Sequence, residues 1–293
     1  MAKLRIGRIT YTNIWPIYHF FDQKQFQDEI ELIPQVPSQL NQRMKDGTID
    51  MGAISSFAYA EQAENYVLLP NLSVSAYGRV GSISLFLKDD LEKIKNKKVA
   101  LTNTSATSVN LVKILIEGFL GGKPEYIIME PNLEKMMKVA DAALLIGDEA
   151  LIQGWENQLK QKYHVIDLGE EWKKRTGLWM TFAVWAVRKK VVERFPELLY
   201  KVYRAFLNSK NEGYQKRDVI VEESMLRFGG TKQFWEDYFR GLSYDFSDPQ
   251  IEGLNHYYQM AQRIGVLEKA PKIEILNMEN LQPYPLFASE KYK

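Results

Sequence analysis

Strand-like and helix-like segments alternate along the chain to about residue 187, and this order constrains the fold more than any other feature. Short apolar runs such as Leu4 to Ile9 and Met51 to Ile54 precede polar turns and segments of helical periodicity. This alternation predicts an α/β fold with a mostly parallel sheet. From Pro196 onward apolar residues recur at helical spacing, so the last third is predicted to be helical.

The length and one polar break suggest how these segments are divided. At roughly 150 residues per domain, 293 residues predict about two domains. A break near Lys88 separates two series of strands and helices. We therefore expect one lobe formed by residues 1–88 and 188–293, and a second formed by residues 89–187. The chain would cross between them near Lys88 and near Arg188, with a ligand cleft between the lobes.

The composition narrows the classes of function. The chain has no cysteine, which excludes thiolate nucleophiles, disulfides and cysteine-based zinc sites. Its three histidines, His19, His164 and His256, form no local metal-binding pair. With 38 Lys+Arg and 37 Asp+Glu, the net charge of +1 argues against a nucleic-acid-binding protein. No signal-like or membrane-spanning segment is visible, so we expect a cytoplasmic protein without a membrane partner.

Small polar residues follow three predicted strands, at the edge where ligands bind in open α/β sheets. They form the turns Thr10 to Asn13, Ser55-Ser56 and Thr102 to Ser108. Each turn lies at a predicted helix N-terminus, where free backbone N–H groups favour anions. Ser, Thr and Asn are also ordinary N-cap residues, so any one turn fits a simple cap. Together the three turns indicate a site for a small molecule with one or two carboxylates.

Two further residues have plainer interpretations. Asp148 follows Ile146-Gly147 at a predicted helix start, and we expect its side chain to be the N-cap of that helix. Ser82 lies beside Gly81 at the start of a predicted strand, where a serine is most often a buried filler bonded to backbone. The residues alone therefore give neither side chain a chemical role.

Eight short motifs occur in one order between about Lys3 and Arg188. They are ITYTNIWP (9–16), VPSQL (36–40), GAISS (52–56), GSI (81–83), TSATS (104–108), MEP (129–131), LLIGD (144–148) and DLGEEW (167–172). In this order they resemble the chorismate dehydratase family of the futalosine route to menaquinone. The resemblance implies a two-lobed fold similar to type II periplasmic binding proteins, and it implies no cofactor and no metal.

The resemblance also implies a reaction and a set of site residues. The family removes water from chorismate, a dicarboxylate, and forms 3-(1-carboxyvinyloxy)benzoate. Asn13 matches the family's active-site asparagine, which would orient the substrate or hydrogen-bond to it. Ser82 matches a serine that would anchor one substrate carboxylate. The candidates for binding the other carboxylate, through hydroxyls and backbone N–H groups, are Ser55, Ser56, Ala106, Thr107 and Ser108.

Two alternatives remain open at this point. The first is the sister enzyme of the same pathway, which forms 1,4-dihydroxy-6-naphthoate and uses a histidine in the cleft. The absence of any histidine between His19 and His164 favours the dehydratase. The second is a non-catalytic protein that binds organic anions. The fold and the lack of strong catalytic groups support it, whereas the missing signal peptide and lipobox cysteine argue against it.

Overall fold

The computed structural model describes residues 3–281, apart from the side chains of residues 158 and 159. The strands are β1 (Leu4–Ile9), β2 (Ile30–Gln35), β3 (Met51–Ser55), β4 (Tyr66–Ala76), β5 (Ile83–Leu87), β6 (Lys98–Thr102), β7 (Glu125–Met129), β8 (Ala142–Ile146), β9 (His164–Asp167), β10 (Met180–Arg188) and β11 (Leu242–Ser243). They form two sheets, one in each lobe.

The helices cover these sheets. They are α1 (Trp15–Tyr18), α2 (Pro37–Lys45), α3 (Ser56–Ala60), α4 (Leu91–Ile94), α5 (Ala106–Lys113), α6 (Leu133–Val139), α7 (Gly147–Lys160), α8 (Leu168–Thr176), α9 (Lys189–Arg194), α10 (Pro196–Gln215), α11 (Arg217–Phe228), α12 (Lys232–Gly241) and α13 (Asp248–Arg263). The predicted change to helices after Pro196 is confirmed for α10 to α13, and Pro196 lies in the first turn of α10 as its fixed φ favours. Within residues 3–281, no helix is long and apolar enough to cross a membrane.

The first sheet has the strand order β11-β4-β10-β3-β1-β2, and the second has the order β7-β6-β8-β5-β9. All residues of β3, β5 and β8 are buried, as expected of strands that helices cover on both faces. The apolar core runs continuously from the first sheet into the second. The two lobes therefore pack closely against each other.

The sheets are mixed, so the predicted mostly parallel sheet is wrong. The parallel neighbours are β1–β2, β1–β3, β6–β7 and β6–β8. However, β5 runs antiparallel to β8 and β9, and β10 runs antiparallel to β3 and β4. Each of these two strands enters its sheet from the other lobe. Ile83 of β5 pairs with Ile146 at the carboxyl end of β8, so the chain enters at the edge where ligands bind.

The chain passes between the two sheets at positions other than Lys88 and Arg188. β5 belongs to the second sheet and β10 to the first, so the chain crosses at residues 77–82 and returns at residues 177–179. The expected boundaries are displaced because a strand's apolar pattern reports its burial but not the sheet in which it pairs. The discontinuous arrangement is nevertheless that of the two sheets. The lobes as separate domains stay a prediction.

Candidate active site

The turn after β1 is bonded to the opposite lobe. Thr12 opens a 3₁₀ turn, Thr12–Ile14, and its side chain is fully buried. Its backbone N donates a 3.0 Å hydrogen bond and its Oγ1 a 2.6 Å hydrogen bond to Oδ1 of Asp148 at the start of α7. Two donors on one carboxylate oxygen hold the segment that carries Asn13 against the second lobe.

Asp148 is therefore not the N-cap of α7, and that prediction is wrong. The N-cap position is Ile146, where no side-chain cap forms, and the carboxylate reaches across the cleft to Thr12 instead. Burial raises the pKa of Asp148, while the hydrogen bonds from Thr12 and the charge of Arg227 oppose the rise. Asp148 thus links the two lobes and is partly desolvated.

Ser82 lies at the end of the first crossing, directly before β5. Its side chain is 1% exposed, and its carbonyl oxygen accepts a 2.7 Å hydrogen bond from the backbone N of Gly147. Gly81 has a φ of +75°, and a Cβ there would lie 2.9 Å from Cδ2 of Tyr238. Glycine therefore permits both the left-handed turn and the close approach of the Tyr238 ring.

Asp167 fixes this crossing from the second lobe. Its carboxylate accepts hydrogen bonds from the backbone N of Val80, at 3.0 and 3.2 Å, and from the backbone N of Gly81 at 2.6 Å. The same carboxylate caps α8 through Gly169 and Glu170, at 3.0 Å each. Burial raises the pKa of Asp167, and the backbone donors oppose that rise. The chain before Ser82 is therefore held in one conformation.

Three buried polar atoms around these turns have no hydrogen-bond partner among the described residues: Asn13 Oδ1, Ser82 Oγ and the Tyr238 hydroxyl. We call these residues the unpartnered cluster. The Tyr238 hydroxyl lies beside Ser82 and Thr12, and Asn13 follows Thr12 in the same turn. A buried polar atom without a partner costs about 1–3 kcal/mol. Such atoms are available to a ligand that reaches them, and the expected bond of the Ser82 hydroxyl to backbone is not formed.

Other buried atoms without partners in the described part of the chain do not belong to the polar turns. They are Tyr126 OH, Trp185 Nε1, Ser209 Oγ and Tyr244 OH, which come from separate elements of the fold. The unpartnered cluster differs from them because its members lie in or beside the turns that are bonded to Gly147 and Asp148 of the second lobe.

The turn Ser55-Ser56 is bonded within the protein. Ser55 Oγ is the N-cap of α3, where it accepts from the backbone N of Ala58 at 3.3 Å and from Asn41 Nδ2 at 3.1 Å. Ser56 Oγ donates a 2.7 Å hydrogen bond to the carbonyl of Thr181. Both hydroxyls therefore hold α3 on the first sheet.

The start of α5 is bonded in the same manner. Thr107 is 1% exposed, and its Oγ1 accepts a 3.0 Å hydrogen bond from the backbone N of Phe57 across the cleft. Ser105 is the N-cap, and its Oγ accepts from the backbone N of Ser108 at 3.2 Å and donates to Ser108 Oγ at 3.0 Å. The hydroxyls of this turn thus cap α5 and join it to α3.

Tyr11 connects the two sets of turns. Its ring packs on Gly147, where a Cβ would lie 2.8 Å from the ring. Burial raises the pKa of Tyr11, and a hydrogen bond to Thr104 opposes the rise. The turn after β1 therefore contacts both strand–helix turns of the second lobe.

A cavity of about 430 Å³ borders this region between α2, α3 and α5. Ser105 and Ala106 line it from the second lobe, and Asn41 and Phe57 line it from the first. The cavity therefore reaches Ser105 and Ala106 at the start of α5, next to hydroxyls that are already bonded.

The polar turns are predictable from the sequence, but two residues of the site are not. Tyr238 lies within the apolar stripe of α12, and nothing in its local sequence indicates a role. Asp148 has the sequence position of a cap, and only the packing of the two lobes shows its bond to Thr12. Among the described residues, no group of three or more acidic or histidine side chains could hold a metal ion.

The chain is similar to proteins of known activity. The family described as menaquinone biosynthesis matches residues 4–263. A chorismate dehydratase from Thermus thermophilus is 30% identical over 269 residues, which cover 88% of this chain and 94% of that protein. A 1,4-dihydroxy-6-naphthoate synthase from the same organism is 23% identical over 185 residues, or 61% of this chain and 63% of that protein.

Solved structures confirm the fold class. Protein AF1704 from Archaeoglobus fulgidus superposes with a TM-score of 0.69 at 18% identity, covering 90% of this chain and 98% of that one. The alkanesulfonate-binding protein SsuA from Xanthomonas axonopodis, bound to MOPS, has a TM-score of 0.66 at 15% identity, covering 93% and 95%. The fold is thus that of periplasmic binding proteins, and with the family match over most of its length this protein belongs to the menaquinone biosynthesis family, as a relative of chorismate dehydratase.

Proposed function

We propose that this protein is a dehydratase that converts chorismate to 3-(1-carboxyvinyloxy)benzoate and water. The family and the chorismate dehydratase relative support the reaction class. The observation that carries the assignment of the site is that Asn13 and Ser82, the two residues implied by the resemblance, each hold a buried polar atom without a partner among the described residues. A ligand with oxygen atoms would satisfy both.

The chemistry requires little of the protein. Breaking the C3–H and C4–O bonds of chorismate makes its ring aromatic, which supplies a large driving force. The enzyme then contributes by orienting the substrate and by placing hydrogen-bond donors where charge develops. An amide is a poor base, so Asn13 orients the substrate. The hypothesis assigns the C3 proton to a substrate carboxylate or to a held water.

The two carboxylates of chorismate bind at two places in this proposal. Ser82 anchors one of them. The other lies at the start of α5, where the backbone N–H groups of Ala106 and Thr107 have no intrahelical partner. Ser108 lies beside them, but its own N–H is bonded to Ser105 Oγ. Ser55 and Ser56 remain candidate contacts from the first lobe, while their hydroxyls support α3.

The lobes open and close about the two crossings to admit chorismate. We propose that the strands of the first sheet, with α9 to α13, form one lobe and that residues 83–176 form the other. Closure is stabilised by Thr12–Asp148 and Phe57–Thr107, which join the lobes on two sides of the cleft. The protein works in the cytoplasm on a small-molecule substrate in this proposal, without a cofactor.

Incubation of the purified protein with chorismate tests the function. We expect a product that is lighter by one water, followed by mass spectrometry. Ser82→Ala should lower kcat/KM by about 10²- to 10³-fold, the usual effect of removing one well-placed donor. Ser84→Ala is the matched control, because it removes a buried hydroxyl two residues along in β5. It should retain the activity of the original protein.

Two results would contradict the proposed reaction, and a third would contradict the proposed site. Tight binding of chorismate without loss of water would favour an organic-anion-binding protein. Formation of 1,4-dihydroxy-6-naphthoate from a cyclised futalosine derivative, without reaction of chorismate, would favour the sister enzyme. Equal activity of Ser82→Ala and Ser84→Ala would remove Ser82 from the site.

A further inference from the structure

Tyr238 is held rigidly beside the site by its neighbours on α12. Its ring packs against Trp235 at a centroid distance of 5.8 Å and against Phe239 at 5.0 Å. On the other side it meets the backbone of Gly81, where a Cβ would lie 2.9 Å from Cδ2. The side chain is 7% exposed. The direction of its hydroxyl is therefore set by packing and needs no hydrogen bond.

The hydroxyl of this rigid ring has no hydrogen-bond partner among residues 3–281, although Ser82 and Thr12 lie beside it. Burial raises the pKa of Tyr238 above its ordinary value and the charge of Asp148 adds to the rise, while the nearby hydroxyls of Ser82 and Thr12 oppose it. The group is therefore a neutral O–H donor. A phenylalanine would fill the same space without leaving a buried polar atom unsatisfied, so the hydroxyl is costly to the free protein.

We propose that Tyr238 is a further substrate-binding residue, whose hydroxyl donates a hydrogen bond to the carboxylate that Ser82 anchors. The inference rests on the proposed function. A carboxylate accepts through two oxygens, whereas the Ser82 hydroxyl supplies one donor. Tyr238 provides a second donor from the first lobe, so the pair holds one carboxylate from two directions. Hydrogen bonds from neutral donors to a charged acceptor are the stronger kind.

Tyr238→Phe tests this inference because binding and stability should respond differently. We expect KM for chorismate to rise about tenfold with a smaller change in kcat, and the Tm of the free protein to stay equal or rise. Tyr244→Phe is the matched control: it also removes a buried hydroxyl without a partner among the described residues, but Tyr244 packs against Tyr214. Its KM should equal that of the original protein.

A coupling measurement sharpens the result. Calorimetric binding of the reaction product to Ser82→Ala, Tyr238→Phe and the double variant should be non-additive, since both donors serve one carboxylate. Additive losses would place the two hydroxyls on different groups and overturn the proposal. An unchanged KM with a lower Tm would indicate that the hydroxyl serves the protein or an internal water, which also overturns it.

An activity assay of the protein without substitutions distinguishes a failure of this inference from a failure of the proposed function. If it does not dehydrate chorismate, the proposed function fails, and the calorimetric cycle with chorismate then decides whether Tyr238 binds it. If it is active and Tyr238→Phe keeps the same KM, the assignment of Tyr238 fails while the function stands. A fall in kcat at constant KM would assign Tyr238 to the transition state and contradict a role in carboxylate binding.

Discussion

Two sets of polar residues line the contact between the lobes, and they differ in how their hydrogen bonds are satisfied. The unpartnered cluster, Asn13, Ser82 and Tyr238, has buried polar atoms without partners in the described residues. The helix-start cluster consists of Ser55, Ser56, Thr107 and Ser108. Its hydroxyls bond to backbone or to neighbouring side chains.

This difference distinguishes residues that are available to bind a ligand from residues that stabilise the fold. A hydroxyl that is already bonded stabilises the fold, and a ligand gains little by replacing that bond. A buried atom without a partner lowers the stability of the free protein, and a ligand that supplies the partner removes this cost. We therefore propose that the side chains of the unpartnered cluster bind the substrate. At the start of α5, we propose that the backbone N–H groups of Ala106 and Thr107 bind it, whereas the hydroxyls of the helix-start cluster support the protein.

The largest effect should come from Asn13→Ala. We expect turnover of chorismate to fall by about 10²- to 10³-fold, because the substrate loses a positioned hydrogen-bonding group. The free energy of unfolding should not fall by the amount typical of a lost hydrogen bond, because Asn13 Oδ1 has no partner to lose among the described residues. Steady-state kinetics and urea unfolding of the same variant measure the two effects. Turnover equal to that of the original protein would contradict a substrate-binding role for Asn13.

Thr107→Val should lower stability and leave turnover nearly unchanged, the reverse of Asn13→Ala. Valine keeps the shape but leaves the backbone N of Phe57 without its acceptor, so the free energy of unfolding should fall by about 1–3 kcal/mol. The backbone N–H of residue 107 remains, so we expect kcat/KM to change only a few-fold. Urea unfolding and kinetics again provide both values. A loss of turnover without a loss of stability would move the Thr107 hydroxyl into the binding site.

Ser55→Ala should lower the free energy of unfolding by less than Thr107→Val does. The change removes the N-cap of α3 and its hydrogen bond from Asn41, and loss of such a cap costs about 0.5–2 kcal/mol. Ser55→Thr is the control variant, because threonine can also cap a helix. Chemical unfolding should rank the original protein and the threonine variant above the alanine variant. Equal stabilities would show that the cap contributes nothing.

Asp148→Asn should give the smallest effect, and its sign depends on pH. Because burial raises the pKa of Asp148, its contribution to stability is present below the ordinary carboxyl pKa and is lost as pH rises through the raised value. Asparagine can accept both hydrogen bonds from Thr12 without carrying a charge. Its stability relative to the original protein should therefore increase with pH. Urea midpoints between about pH 4 and about pH 8 measure the trend, and a decrease with pH would contradict it.

Local patterns predict part of this molecule well. The polar turns after β1, β3 and β6 are predictable because strand, turn and helix follow one another within a few residues. The crossings are not, since the sheet to which β5 and β10 belong depends on pairing between distant segments. Tyr238 and Asp148 are missed for the same reason. The hydroxyl of one and the carboxylate of the other acquire a role only when α12 and α7 pack against the turns of the cleft.

A crystal structure of the protein with its reaction product bound tests the central claim most directly. We predict one product carboxylate within hydrogen-bonding distance, about 2.5–3.0 Å, of Ser82 Oγ and the Tyr238 hydroxyl. The other carboxylate should lie at the backbone N–H groups that open α5, with the bond between Thr107 and Phe57 intact. A product bound through the Thr107 hydroxyl, with Ser82 and Tyr238 still without partners, would contradict the account.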